Sequence, residues 1–132
     1  MITITILYAG VLGVLMALLS IRVPMRRARL NLPWGDGGDP TLATRIRVFG
    51  NFIEYVPLVI LLMALLELSG GAPWALHAAG ITLIAARTVH AIALHSEDSA
   101  LWRKVLRGIG AMGTWLVLLS LAIYAVTLGF PK

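Results

Sequence analysis

The chain has 132 residues, no cysteine, and a formal charge of +5 from 11 basic and 6 acidic side chains. Its 59% hydrophobic share, 13% charged share and mean hydropathy of +0.89 lie far from a soluble domain's composition. Disulfides, thiolate metal ligands and a cysteine nucleophile are excluded, so any sulfur nucleophile has to arrive on a substrate.

Residues 1–21, 68–86 and 108–131 carry no Asp, Glu, Lys or Arg. Each stretch approaches or exceeds the roughly 20 residues a helix needs to cross a bilayer. A further span over about 46–68 carries Glu54 and Glu67 near its two ends. The pattern predicts an all-α, multi-pass membrane protein with one four-helix domain over residues 1–132, its helices at about 2–23, 42–68, 74–95 and 102–130. Residues 1–21 lack the basic segment and small-residue cleavage site of a secretory signal and read as a retained helix.

In chain order, helix one is expected to stop at Pro24, because a helix interior tolerates proline poorly. Ala9, Gly13 and Ala17 form a small-residue ridge on it that suits close approach of another helix. Asn31, Pro33 and the string Trp34-Gly-Asp-Gly-Gly-Asp-Pro40 then mark turns, in a first loop expected to run to about twenty residues. Helix two holds Pro57, where a kink is expected. Gly70-Gly71-Ala72-Pro73 is a tight turn, and Trp74 suits an interfacial position. Helix three carries Ala78, Thr82 and Ala86 on one ridge and runs to about His95. No internal repeat or low-complexity segment is present.

Basic residues flank the first loop (Arg22, Arg26, Arg27, Arg29, Arg45, Arg47) and the third (Arg103, Lys104, Arg107), whereas the second loop has none. The positive-inside rule then predicts that loops one and three face the cytoplasm, with both termini and loop two outside. Confinement of the charge to membrane edges speaks against nucleic-acid binding. Arg103, Lys104 and the Arg26–Arg29 cluster read first as topology and anionic-lipid anchors.

Arg47, Asn51 and Glu54 fall at i, i+4 and i+7 and form one polar stripe on helix two. An ionisable group in hydrocarbon costs on the order of 2.5–3.5 kcal/mol on insertion scales, so the stripe calls for partners or a ligand. The topology places Arg87 and His90 of helix three, and Arg103 and Arg107 of helix four, at the same depth, with Arg22 closing helix one there. A cytoplasm-facing polar cavity is the expectation, with Glu67 and His77 as exceptions near the outer surface. Arg47, Arg87 and Arg107 exceed what Glu54 can neutralise; arginine's fork suits a carboxylate-bearing, zwitterionic, net-anionic ligand. Each residue alone has a plainer reading: snorkelling for Arg47 and Arg107, a salt bridge to Arg87 for Glu54, core packing for His90. His77, His90 and His95 have no metal-ligand spacing, and no metal site is expected.

Four spans, the Gly-Asp-Gly-Gly loop, Arg47-x-x-x-Asn51-x-x-Glu54-Tyr55-x-Pro57, and Arg87 late in helix three resemble the MAPEG family over essentially the whole chain. These are membrane-associated proteins of eicosanoid and glutathione metabolism, and the loop is more like the bacterial branch. The resemblance implies a homotrimer with glutathione between neighbours at the cytoplasmic side of an inner membrane. It implies that Arg47, Asn51, Glu54, Tyr55 and Arg87 hold glutathione, and that Arg107 faces its thiol, with Arg103 as the alternative match. Arg26 or Arg27 matches a basic position at the end of helix one. Where relatives carry a tyrosine against glutathione this chain has His90; a second tyrosine appears as Leu94, and a glutamine as Phe49.

The activity so implied is a glutathione-dependent transferase or peroxidase acting on lipophilic electrophiles or hydroperoxides. A free thiol ionises near pH 8.5, and a neighbouring guanidinium lowers such a value by about 1–3. The chain then borrows its nucleophile from the ligand. Two other readings are carried: a ligand-binding or scaffold protein of the same fold without thiol chemistry, and a small proton-coupled exporter. The exporter is disfavoured because helix one holds no carboxylate and the polar groups gather at one side rather than at the midplane.

Overall fold

A computed structural model describes residues 1–93 and 101–130. The fold is all-helical: α1 (Thr3–Leu30), α2 (Pro40–Leu68), α3 (Pro73–Ala93) and α4 (Leu101–Gly129). All four are long and apolar enough to span a membrane. The expected end of helix three at His95, and Leu94 with it, lies outside the described residues.

The helices form a rhombic bundle in which α2 and α3 touch across the short diagonal, while α1 and α4 do not meet among the described residues. Leu12, Phe52, Val59, Met63, Leu76, Leu83, Val117 and Leu121 fill its axis, each at most 5% exposed. The outside is equally apolar, with Leu7, Val14, Leu18, Leu61, Ile81, Leu116, Leu119 and Ile123 all exposed. Lipid tails are as apolar as leucine, so burial alone does not hold such helices together; close packing and hydrogen bonds have to.

Close packing occurs at glycines. A Cβ on Gly110 of α4 would lie 2.8 Å from both the Ala86 carbonyl oxygen and the His90 Cβ, so the α4 backbone rests directly on α3. Gly113 repeats the approach against Ala86, and Gly80 of α3 seats the Tyr8 ring of α1. The ridge expected on helix one is used differently: a Cβ on Gly13 would meet nothing within 4 Å, and Ala17 is exposed, so within the protomer that face is open.

Helix one does not end at Pro24. It continues for more than a turn to Leu30, and Asn31 closes it in the left-handed conformation (φ 52°, ψ 37°). The bond lost at proline is outweighed by ties on both sides of it: before it Arg45 donates to the Arg22 carbonyl (3.0 Å), and beyond it Arg27 donates to the Gly35 carbonyl (3.1 Å) and Arg26 grips Asp39 (2.7 and 3.2 Å). The first loop shrinks accordingly to residues 31–39. Asp39 also caps α2, its Oδ1 accepting from the Leu42 amide ahead of a helix that opens on Pro40. α2 then runs unbroken through Pro57.

At the opposite end Glu67 accepts from the Ile4 amide (2.8 Å), the Thr5 amide (2.8 Å) and the Thr5 hydroxyl (2.7 Å). A carboxylate at a helix N-terminus satisfies orphan donors and opposes the dipole. The Tyr8 hydroxyl and His77 Nδ1 are 2.9 Å apart beside it, and the Ala72 amide donates to the Tyr124 hydroxyl. Glu67 and His77, which stood apart from the other polar residues in the sequence, therefore pin α1.

Two outcomes are expected. Gly110→Leu forces α4 off α3 and lowers unfolding stability by about 1–3 kcal/mol in detergent; a variant as stable as the parent would mean the contact is not made. Asp39 is held below the ordinary value of 3.8 chiefly by its hydrogen bond to Arg26. Its contribution is therefore fully present above that value and lost as pH falls through the lower folded-state value. Asp39→Asn is expected to flatten the acid limb of the stability profile while leaving its salt dependence weaker at neutral pH.

Candidate functional site

The basic end of the bundle, where the first loop, the end of α3 and the start of α4 lie, holds a cavity of about 380 Å³ lined by Arg47, Asn51, His90, Lys104, Arg107, Gly108 and Ala111. α2, α3 and α4 each contribute to it. On α2, Asn51 turns its amide back to donate to the Arg47 carbonyl (3.0 Å), which leaves its side-chain oxygen available. On α3, Arg87 is 3% exposed and donates from Nη1 to the Asn51 carbonyl (2.9 Å). A buried guanidinium thus braces the back of the α2 stripe. Tyr55 is within electrostatic reach of it.

On α4, the Gly110 contact draws the N-terminal third of the helix against α3. His90, 6% exposed, reaches the Arg107 carbonyl through Nδ1 at 3.3 Å. A carbonyl only accepts, so Nδ1 carries the hydrogen. His90 Nε2 and Arg87 Nε are buried without a hydrogen-bond partner. The side chains of Arg47, Lys104 and Arg107 make no hydrogen bond or ion pair among the described residues, and all three are exposed at the cavity mouth. Three cations, with no carboxylate among the described lining residues, give the cavity a positive charge that suits an anion.

Not every residue singled out in the sequence joins it. Glu54 is exposed on α2 and Tyr55 half-buried, and neither lines the cavity within one protomer. Arg26 and Arg27 are engaged by the first loop. Arg103 stacks its guanidinium 4.7 Å from the Trp102 ring centroid. Lys104, read as an anchor, is a lining residue instead; its i, i+3 relation to Arg107 was the available signal. Gly108 and Ala111 were silent because smallness carries no chemistry.

A larger groove of about 490 Å³ runs between α3 and α4 toward the other end, past Trp74, Ala78, Thr82, Leu116, Ser120 and Tyr124. Its polar side chains are uncharged hydroxyls and one indole, so it offers volume and no charge.

An all-helical, four-span membrane bundle with a cationic cavity at one end is thus the class that fold and site define. The chain belongs to the MAPEG family, whose model matches residues 5–127. It is similar to the inner membrane protein YecN of Escherichia coli strain K12, 34% identical over 117 residues that cover 89% of this chain and 86% of that protein. YecN of the O6:H1 strain matches to the same extent. No solved structure matches.

The buried arginine yields a stability test. Arg87 makes one hydrogen bond among the described residues and leaves Nε unpaired. Replacing a buried charge by an apolar group of similar length is often neutral or stabilising. Arg87→Met is therefore expected to keep or raise the thermal midpoint; a fall of many degrees would show that the guanidinium is structural.

Proposed function

We propose that the protein is a multi-pass inner membrane enzyme that binds glutathione at the basic end of the bundle and presents its thiolate to lipophilic electrophiles or hydroperoxides. Family membership, the inner-membrane relative and the charge of the cavity support this reading. The observation that carries it is the convergence of Arg47, Asn51 and Arg107 on one cavity, with Arg87 buried behind. In this reading the arginines engage glutathione's carboxylates, Asn51 its amide groups, and Arg107 stabilises the thiolate without exchanging protons.

We further take the working unit to be a homotrimer with loops one and three in the cytoplasm. Glu54 makes no hydrogen bond or ion pair among the described residues and lies exposed on a membrane span. A neighbouring copy covering that face would remove the cost of leaving a carboxylate in lipid, on the order of 2.5–3.5 kcal/mol. It would also bring Glu54 and Tyr55, which face away from the cavity of their own protomer, toward a shared site. Arg26, Arg27 and Arg103 then remain contributors from the rim.

Glutathione titration of the purified protein, followed by calorimetry and by the thiolate ultraviolet band, tests the proposal. Arg47→Ala and Glu54→Ala are each expected to weaken binding about 10–100-fold, the worth of a lost charge-assisted hydrogen bond. Arg107→Ala is expected to retain binding and lose the band at neutral pH. Binding unchanged by both α2 substitutions would overturn the site. Binding without any thiolate in the parent protein would leave a ligand-binding member of the family rather than an enzyme.

A further inference from the structure

We propose that His90 is the base of this site: its Nε2 takes the proton of the bound thiol, and Arg107 stabilises the thiolate that remains. The inference rests on the thiol-dependent reading above and assigns the proton, which that reading leaves without a destination.

The geometry fixes the ring. Nδ1–H donates to the Arg107 carbonyl at 3.3 Å, and the α4 backbone at Gly110 rests against the His90 Cβ and amide, so the imidazole has little room to turn. In the neutral ring this tautomer leaves Nε2 as a bare acceptor. That atom is buried, has no hydrogen-bond partner, and belongs to a residue lining the cavity. A buried polar atom left unpaired calls for a reason, and a ligand donor supplies one.

The other lining groups leave no competitor among the described residues. Guanidinium and ammonium groups only donate, and an amide oxygen is too weak a base, so Arg47, Lys104, Arg107 and Asn51 cannot hold the proton. Within one protomer Glu54 and Tyr55, a turn further along α2, do not line the cavity, and no α1 residue does; in the proposed trimer they meet the ligand's backbone and not its thiol. The charged groups facing the ring are Arg87 on its own helix, Arg47 on α2, and Arg107 with Lys104 on α4. Their charge is offset by the ligand's carboxylates and by the thiolate itself. The imidazolium therefore forms as half of an ion pair, the arrangement that keeps histidine-paired thiolates ionised at neutral pH.

The step balances without further reagents. The S–H bond breaks, the Nε2–H bond forms, and the electron pair stays on sulfur. When the thiolate attacks a carbon electrophile, the C–S bond forms as the bond to the leaving group breaks. The imidazolium then returns its proton to the departing anion, and His90 is neutral again. One residue thus serves as base and then as acid.

Proton counting tests this. Glutathione binding to the full-length protein is measured by calorimetry in buffers of different ionisation enthalpy, alongside the thiolate band. The parent protein is expected to form thiolate while releasing far less than one proton per thiol to the buffer. S-Methylglutathione, which has no thiol proton, is the control for protons exchanged by other groups. His90→Gln is expected to retain binding, to shift thiolate formation upward by about 1–3 pH units, and to release a full proton for each thiolate formed. Full release by the parent, with His90→Gln ionising the thiol equally well, would overturn the role of His90 and leave the thiol-dependent function standing. Failure of the parent to bind glutathione or to show the band would remove the function itself, and this inference with it. The parent's proton count decides the matter even where His90→Gln does not fold.

Discussion

The contact on which the site depends is the approach of the α4 backbone to α3 at Gly110. Any side chain there would collide with the Ala86 carbonyl and with His90. Because none is present, Arg107 comes close enough for its carbonyl to receive the His90 Nδ1–H. The same crossing sets Lys104 and Arg107 opposite Arg47 and Asn51. In a bilayer, where apolar burial gives helices little preference for one another, a backbone-to-backbone seat of this kind fixes register as well as proximity. One absent Cβ thus links packing to the electrostatics of the cavity.

The two ends of the bundle use charge in opposite ways. At one end the ionisable and phenolic groups named in the fold are partnered: Glu67 closes the α1 N-terminus, and Tyr8, His77 and Tyr124 bond to neighbours. At the other, Arg26 and Asp39 close the loop between α1 and α2, yet among the described residues Arg47, Lys104 and Arg107 are left with open donors and His90 with an open acceptor. A structural role predicts satisfied partners, as at the Glu67 end. The asymmetry within one small bundle is what separates the cavity from ordinary helix-end chemistry, and the volume of the apolar groove does not alter that.

Hydropathy made the four spans legible, because a bilayer imposes a length on every helix and forbids charge over it. The polar stripe of α2 and the depth of Arg87, His90 and Arg107 were legible for the same reason: antiparallel neighbours with short connections align the ends of their spans. What was not legible is instructive. Pro24 read as a stop because its local cost is visible in sequence, whereas the Arg26–Asp39 and Arg27–Gly35 ties that hold α1 beyond it are tertiary. The loop partners of Arg26 and Arg27 were hidden for a related reason, since a cation's partner cannot be told from its own position. Gly110 gave no warning among the other glycines, because only a neighbouring backbone distinguishes a seat from an open face such as Gly13.

The residues that face outward complete the argument. Glu54 shares the α2 stripe with Arg47 and Asn51, but helical rotation turns it out of the cavity that they enter. A stripe half inside and half outside one protomer makes little sense for a monomer in lipid, where the exposed carboxylate has nothing to oppose it. It makes sense for a site built at a seam, with one copy supplying the cationic wall and the next covering the carboxylate. On the proposed reading, assembly and ligand recognition then draw on the same residues, and Glu54→Ala should loosen both together. Arg107, whose partner is a reacting atom rather than a subunit, should affect thiolate formation while leaving assembly intact.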